Sequence, residues 1–228
     1  KSVTGTAGVA ELYDYGVNTD GSQWTIVYSG PGGVNSPVWV KTTVDMLGRT
    51  IREERPGFGA VVVTNASFFD AAGRLVRSTV TGRPDTYYEH DALGNVVRTW
   101  QDLNANATLD LAGPDRVSDS DTVYEQDAAG IWWRKSVAAV YAANGSATPT
   151  TTSQSRSRLS GLPAGVTEER ITVDVFGNAT TNRTWVDREA KQVRQTTVQP
   201  FTTNVVESVA VNGLTLESRN ATGLRLVY

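Results

Sequence analysis

The run Asp102-Leu103-Asn104-Ala105-Asn106-Ala107-Thr108-Leu109-Asp110 sets oxygen-bearing side chains at loop positions 1, 3, 5 and 9. Ca²⁺ takes six to eight oxygen ligands, and alternating acids and amides in a tight loop aim them inward. The Thr108 carbonyl falls at position 7, and Asp115 can reach back as a further ligand. Ala107 stands where a tight calcium loop places Gly, and Gly113 where a bidentate Glu would close it. Calcium at Asp102, Asn104, Asn106, Thr108, Asp110 and Asp115 is therefore expected to be weak, on the order of 10⁻⁴–10⁻³ M as in extracellular modules. The same residues also suit a polar Asx-turn loop that holds no metal.

Other residues with chemical potential are few. Cysteine is absent, which excludes disulfides, thiolate nucleophiles and Cys-based zinc sites together. His90 is the single histidine and has no nucleophile or titratable partner nearby in sequence, so it reads as strand packing. Glu53-Glu54 and Glu168-Glu169 are adjacent pairs. Neighbours on a strand face opposite sides, so neither pair is a carboxylate dyad, and both read as solvated strand positions. Trp24, Trp39, Trp100, Trp132, Trp133 and Trp185 read mainly as packing between hairpins, with a glycan- or peptide-stacking surface as the other use. No constellation unites nucleophile, base and charge stabiliser, and the chain is expected not to be an enzyme.

These residues need a scaffold, and composition says which kind. The 228 residues carry 21 basic and 24 acidic side chains, a net charge of −3. A nucleic-acid binder usually carries a basic excess, so none is expected as a partner. No apolar run approaches the ~20 residues that span a bilayer, so no membrane-spanning segment is expected. Thr and Val recur throughout among 21 Gly and 8 Pro, a mixture that favours strands and turns.

One pattern repeats: Asp-x-x-Gly followed by a basic or amide residue. It occurs at Asp45–Gly48, Asp70–Gly73 and Asp91–Gly94, and more loosely at Asp127–Gly130 and Asp174–Gly177. The first copies define a unit of about 21–25 residues, and insertions separate the later ones. Asp caps a type I turn by accepting a backbone N–H, and Gly at the fourth place takes positive φ without steric cost. Such turns join antiparallel strands. Four residues after each glycine stand Arg52, Arg77, Arg98, Arg134 and Thr181, preceded by Ile51, Val76, Val97, Trp133 and Thr180. One strand face is thus mostly apolar, and the other carries an Arg row that reads as a cross-strand ion-pair ladder.

These motifs resemble the Rhs, or YD-repeat, family of large bacterial surface and toxin-associated proteins. The best matches are Phe69-Asp70-Ala71-Ala72-Gly73-Arg74-Leu75 and Tyr88-Glu89-His90-Asp91-Ala92-Leu93-Gly94-Asn95, within a similarity that covers 38–185. The Tyr that immediately precedes Asp in the family is replaced in every copy, by Val44, Phe69, His90, Gln126 and Val173. The resemblance implies a spiral of β-hairpins. In full-length relatives this sheet closes into a shell, around a toxic cargo in bacteria or in adhesion proteins of animals. The family's terminal Asp-Pro-x-Gly block is absent from these residues.

The expected fold is all-β: consecutive antiparallel hairpins in a curved or spiralling YD-repeat sheet. Residues 1–143 form the array, with the acidic insertion at 102–121. Residues 144–165, rich in Ser, Thr, Gly and Pro, read as a loop, and 166–228 carry degenerate hairpins, with Asn212-Gly213 as a two-residue turn and 220–223 as a decayed copy. Short helical turns are allowed only near 138–143. Lys1 and the strand-like end suggest an excerpt from a larger polypeptide. The expected role is a structural wall segment of a secreted or cell-surface protein, partnered by the rest of that polypeptide and by an enclosed cargo or a surface receptor. The alternative is a calcium-stiffened binding module.

Overall fold

The computed structural model describes residues 2–3, 9–200, 205–220 and 222–228. Among them the regular elements are strands, apart from two single 3-10 turns at Gly33–Asn35 and Phe58–Ala60. The protein is all-β, and the chain divides into two compact units, Lys1–Val117 and Ser118–Tyr228.

The first unit contains β1 (Ser2–Val3), β2 (Glu11–Val17), β3 (Gln23–Ser29), β4 (Trp39–Val44), β5 (Thr50–Pro56), β6 (Val62–Phe69), β7 (Leu75–Val80), β8 (Asp85–His90) and β9 (Val96–Asp102). Each strand pairs antiparallel with the one before it. The second unit repeats this plan. It holds β10 (Arg116–Gln126, whose first two residues belong to the first unit), β11 (Trp132–Val140), β12 (Thr150–Arg158), β13 (Glu168–Val173), β14 (Ala179–Asp187), β15 (Gln192–Val198), β16 (Val205–Val211), β17 (Leu214–Arg219) and β18 (Arg225–Val227). From β10 to β18 every consecutive pair is antiparallel. Short turns and β-branched residues make this meander the path of least entropic cost, since each strand meets a partner only a turn away.

The first three repeat turns share a detail that the two looser ones lack. Val44 faces Thr50 while Thr43 faces Arg52, so Ile51 is an extra, bulged residue. Val76 and Val97 are bulged in the same way. No such shift follows Asp127 or Asp174, where the pairing runs on in register.

The core is thin. Among the described residues, the buried apolar side chains are Trp100, Val117, Trp133, Ala139 and Val166. Cross-strand neighbours, rather than a central core, therefore carry most side-chain packing.

Two sequence-based boundaries are corrected. Within 144–165, nine residues form β12, paired with β11 and β13. Ser and Thr serve turns and strands alike, so composition leaves the choice to tertiary contacts. Those contacts are supplied by Arg156, stacked 4.7 Å from the Trp133 ring, and by Arg158, paired with Glu169 at 2.9 Å. The acidic insertion is also shorter than 102–121, because β10 resumes at Arg116. Ala138–Val140 belong to β11 rather than to a helical turn.

Candidate functional site

Every repeat turn is built around one carboxylate. The Asp45 Oδ1 accepts the backbone N–H of Leu47 and of Arg49, both at 2.9 Å, and Gly48 N–H donates to the Asp45 carbonyl. Asp91, Asp127 and Asp174 repeat this two-donor clamp on the residues two and four places on. At Asp70, Oδ1 takes the Arg74 N–H at 2.9 Å. Gly48, Gly73, Gly94, Gly130 and Gly177 have φ of 78°, 80°, 88°, 77° and 83°. In that region a Cβ meets the neighbouring carbonyl, which is why glycine holds the position.

The second carboxylate oxygen is latched by a side chain. Arg49 and Arg74 each place Nε 2.7 Å from their aspartate, and Asn95 and Asn178 donate Nδ2 at 2.8 and 2.9 Å. The fourth copy has Ile131 at this place, and the Trp133 indole N–H replaces the latch at 2.9 Å. All five carboxyls are held below the usual range. The chief cause is the backbone N–H of Arg74 at Asp70 and of Asn178 at Asp174. At Asp91 it is the Asn95 amide, and at Asp127 the Trp133 indole. At Asp45 partial desolvation pulls the other way, outweighed by the N–H and guanidinium of Arg49.

The arginine latches also reach the next turn. The Arg49 guanidinium lies 4.3 Å from the Phe69 ring centre, one residue before Asp70. Arg74 Nη1 donates to the Asp91 carbonyl at 3.3 Å. Arg in the fifth place therefore closes its own turn and bridges to its neighbour, whereas Asn closes only its own.

The acidic loop is organised differently. Asp102 and Asp115 are 5% and 1% exposed, although both belong to a surface excursion. Asp102 accepts the backbone N–H of Asn106 and of Ala107, and Asp115 accepts those of Leu103 and Asp110. Asn104 and Asn106 both point Nδ2 at Asp110 Oδ2, at 2.8 and 2.9 Å. Thr108 N–H binds the Asn106 side-chain oxygen, and among the described residues no donor meets its carbonyl. Ala105 and Ala107 adopt φ of 56° and 57° to make the loop this tight. All six sequence-selected residues thus share one loop. Among the described residues, no three Asp, Glu or His side chains gather as a metal cluster. A cation here would depend on amide and carbonyl oxygens to complete its shell. That donor set suits a hard ion such as calcium.

Glu169 corrects the reading of the adjacent glutamates. Glu168 is exposed, but Glu169 is only 3% exposed and is clasped by Arg183 Nε at 2.6 Å and Arg158 Nη1 at 2.9 Å. Burial alone would raise its pKa, and the two guanidiniums outweigh that and lower it. The Arg row divides similarly. Arg98 pairs with Glu89 across the strands at 3.2 Å, and Arg77 with Asp85 at 3.7 Å. Arg52 instead joins Glu54 on its own strand, at 2.8 Å. His90 closes β8 opposite Val96. Trp133 is buried and Trp132 is 47% exposed, so the adjacent tryptophans do face opposite sides.

No family model matches the chain, and no curated protein matches it. Among the solved structures that are similar is one from a toxin complex. It is the crystal structure of TcdB2-TccC3 without its hypervariable C-terminal region, at 10% identity and a TM-score of 0.31, over 96% of this chain. The chain spans 14% of the length of that one. No helix among the described residues is long and apolar enough to cross a membrane.

Two further turns carry the same backbone closure. Asn220 clamps the N–H of Thr222 and Leu224, and Gly223 N–H returns to its carbonyl at 3.0 Å. Asn18–Ser22 closes identically through Gly21, but Asp20 supplies the cap to Ser22. A search keyed on Asp in the first place misses this copy, and Asn-x-x-Gly would have found it. Asn212 and Gly213, with φ of 52° and 80°, make the two-residue hairpin turn between β16 and β17.

Proposed function

We propose that this chain is a non-catalytic YD-repeat segment that forms part of a wall, as shell or fibre, in a larger secreted or cell-surface protein. The observation that carries this reading is the repeated staple: one carboxylate closes each of the five Asp-x-x-Gly turns, and the Arg49 and Arg74 latches reach on to the next turn. A wall must repeat one joint many times and resist shear between neighbours, and this joint does both. The Ser22 hydroxyl, 2.7 Å from the Asp20 carboxylate, belongs to a turn cap, and His90 closes β8 opposite Val96, placements that favour a scaffold over an enzyme. Electron microscopy of the full-length polypeptide tests the proposal. Continuous walls or fibres that contain this segment support it, and a single globular domain on a flexible tether overturns it.

A second reading, a calcium-stiffened module, is favoured by one observation. Asp102 and Asp115 are buried, and among the described residues no basic side chain is paired to either. Backbone N–H groups alone offset their charge, and a divalent cation would offset it further. A melt in millimolar calcium against chelator should raise the Tm of the natural chain, and the Asp102→Ala, Asp110→Ala double variant should lose that response. Identical melts in both buffers, with no heat of binding by titration calorimetry, would make the loop a metal-free polar turn.

A further inference from the structure

The glycine-rich segment between β3 and β4 has no part in the turn staples, yet it is built with care. Ser29 N–H bonds the Val38 carbonyl, and the Ser36 hydroxyl returns to the Ser29 carbonyl, folding the connection into a compact flap. A Cβ on Gly32 would lie 3.0 Å from the Ser36 backbone, so a side chain there would push Ser36 out of its present place. The flap raises Val34 and Asn35 as a wall beside one face of β3–β6, and the space between is an open cleft of about 510 Å³. That volume is within the ~300–1,000 Å³ of small-ligand sites.

The floor of the cleft combines two features. Tyr28 and Trp39 are directly opposed across β3 and β4, and both line the cleft at its aromatic end. Lys41, Glu54 and Thr64 follow in one cross-strand row, with Arg52 beside them. Glu54 is the one acid lining the cleft, and Arg52 and Lys41 approach it at 2.8 and 3.9 Å. Two cations against one carboxylate leave a single positive charge in excess. Arg52 spends one Nη on Glu54, and its side chain is 53% exposed. Its remaining N–H groups are in place for a ligand's anion. Among the described residues, neither the Asn35 amide nor the Thr64 hydroxyl makes a side-chain hydrogen bond.

We propose that this cleft binds a carboxylated pyranose, an acidic residue of a glycan. The apolar face of the ring stacks on Trp39 and Tyr28, the carboxylate meets Arg52 in a charge-assisted pair, and Asn35 and Thr64 take ring hydroxyls. The charge selects an anionic sugar over a neutral one. The paired aromatic residues and uncommitted hydroxyl and amide groups favour a sugar ring over an acidic peptide. This site is independent of the wall proposal, since it needs only the first unit.

The test is saturation-transfer NMR on the full 228-residue chain. The probes are methyl glycosides of glucuronic acid and N-acetylneuraminic acid, their carboxamides, and a hexapeptide of glutamate. At least one acidic glycoside should bind, its carboxamide about tenfold more weakly, with the same loss in Arg52→Met. Trp39→Ala should abolish binding, and Arg55→Met, on the opposite face of β5, should leave it unchanged. If Trp39→Ala fails to fold, the Arg52→Met result decides. The proposal is overturned if neither acidic glycoside binds, if acid and carboxamide bind equally, if Arg52→Met retains full binding, or if only the peptide binds.

Discussion

The molecule buries carboxylates in two places and neutralises them by opposite means. In the first unit, Asp102 and Asp115 are held by backbone N–H groups of their own loop. In the second, Glu169 is held by two arginines brought from β12 and β14. The first solution is local and leaves net negative charge. The second is non-local and leaves the pair of guanidiniums dependent on one acid. A buried acid therefore says little until its donors are named. Amide donors make a site that a cation can improve, while guanidinium donors make one that a cation would only disturb.

The largest expected effect breaks the non-local site. Glu169→Ala strands Arg158, whose side chain is 15% exposed, and should cost about 3 kcal/mol in urea denaturation. A loss under 1 kcal/mol would show that water replaces the carboxylate freely. Asp115→Ala attacks the local site and leaves the N–H groups of Leu103 and Asp110 unpaired. About 2 kcal/mol should be lost, since each stranded donor costs about 1–3 kcal/mol less whatever water recovers. Adding arginine opposite it would not rescue the loop, because the missing partners are acceptors.

Gly73→Val moves the comparison to the turns, where the strain is backbone rather than charge. At φ 80° a β-branched residue fits badly, and the loss should be about 1–2 kcal/mol. Gly48→Val is the cleaner control, because its added Cβ meets nothing within 4 Å. Equal losses at both sites would assign the cost to φ, and a larger one at Gly73 to its contact with Arg49.

Acid should act most gently and on all the staples together. The turn aspartates and Glu169 have folded pKa values below their unfolded ones. The folded state then binds fewer protons, so this stability is complete above the unfolded values, about 4, and drains away as pH falls through the folded ones. Urea midpoints should be level from neutral pH to about pH 5 and decline below about pH 4. Asp70→Asn should make the decline shallower. A midpoint that rises on acidification would contradict the staple geometry.

Much of this was legible in the sequence because the staple closes within five residues. Asp in the first place and Gly in the fourth encode the turn wherever they recur, and alternating neighbours encode the strands. What stayed hidden depends on partners distant in sequence. Glu169 looks solvated until Arg158 and Arg183 arrive from flanking strands. The serine- and threonine-rich β12 looks like a loop until Trp133 and Glu125 engage Arg156. Trp133 as the latch of Asp127 was masked for another reason: Ile131 occupies the expected place, and the indole reaches back from two residues further on.

Because each unit is a meander, almost every strand interaction joins elements adjacent along the chain. Loop closure then costs little at any step, and folding can start at any hairpin and spread to its neighbours. Pulled from its ends, such a chain should yield in a series of small steps rather than one rupture, each releasing a hairpin while the next turn keeps its grip. Cutting or lengthening the array at a turn would change its extent without altering the joints that remain.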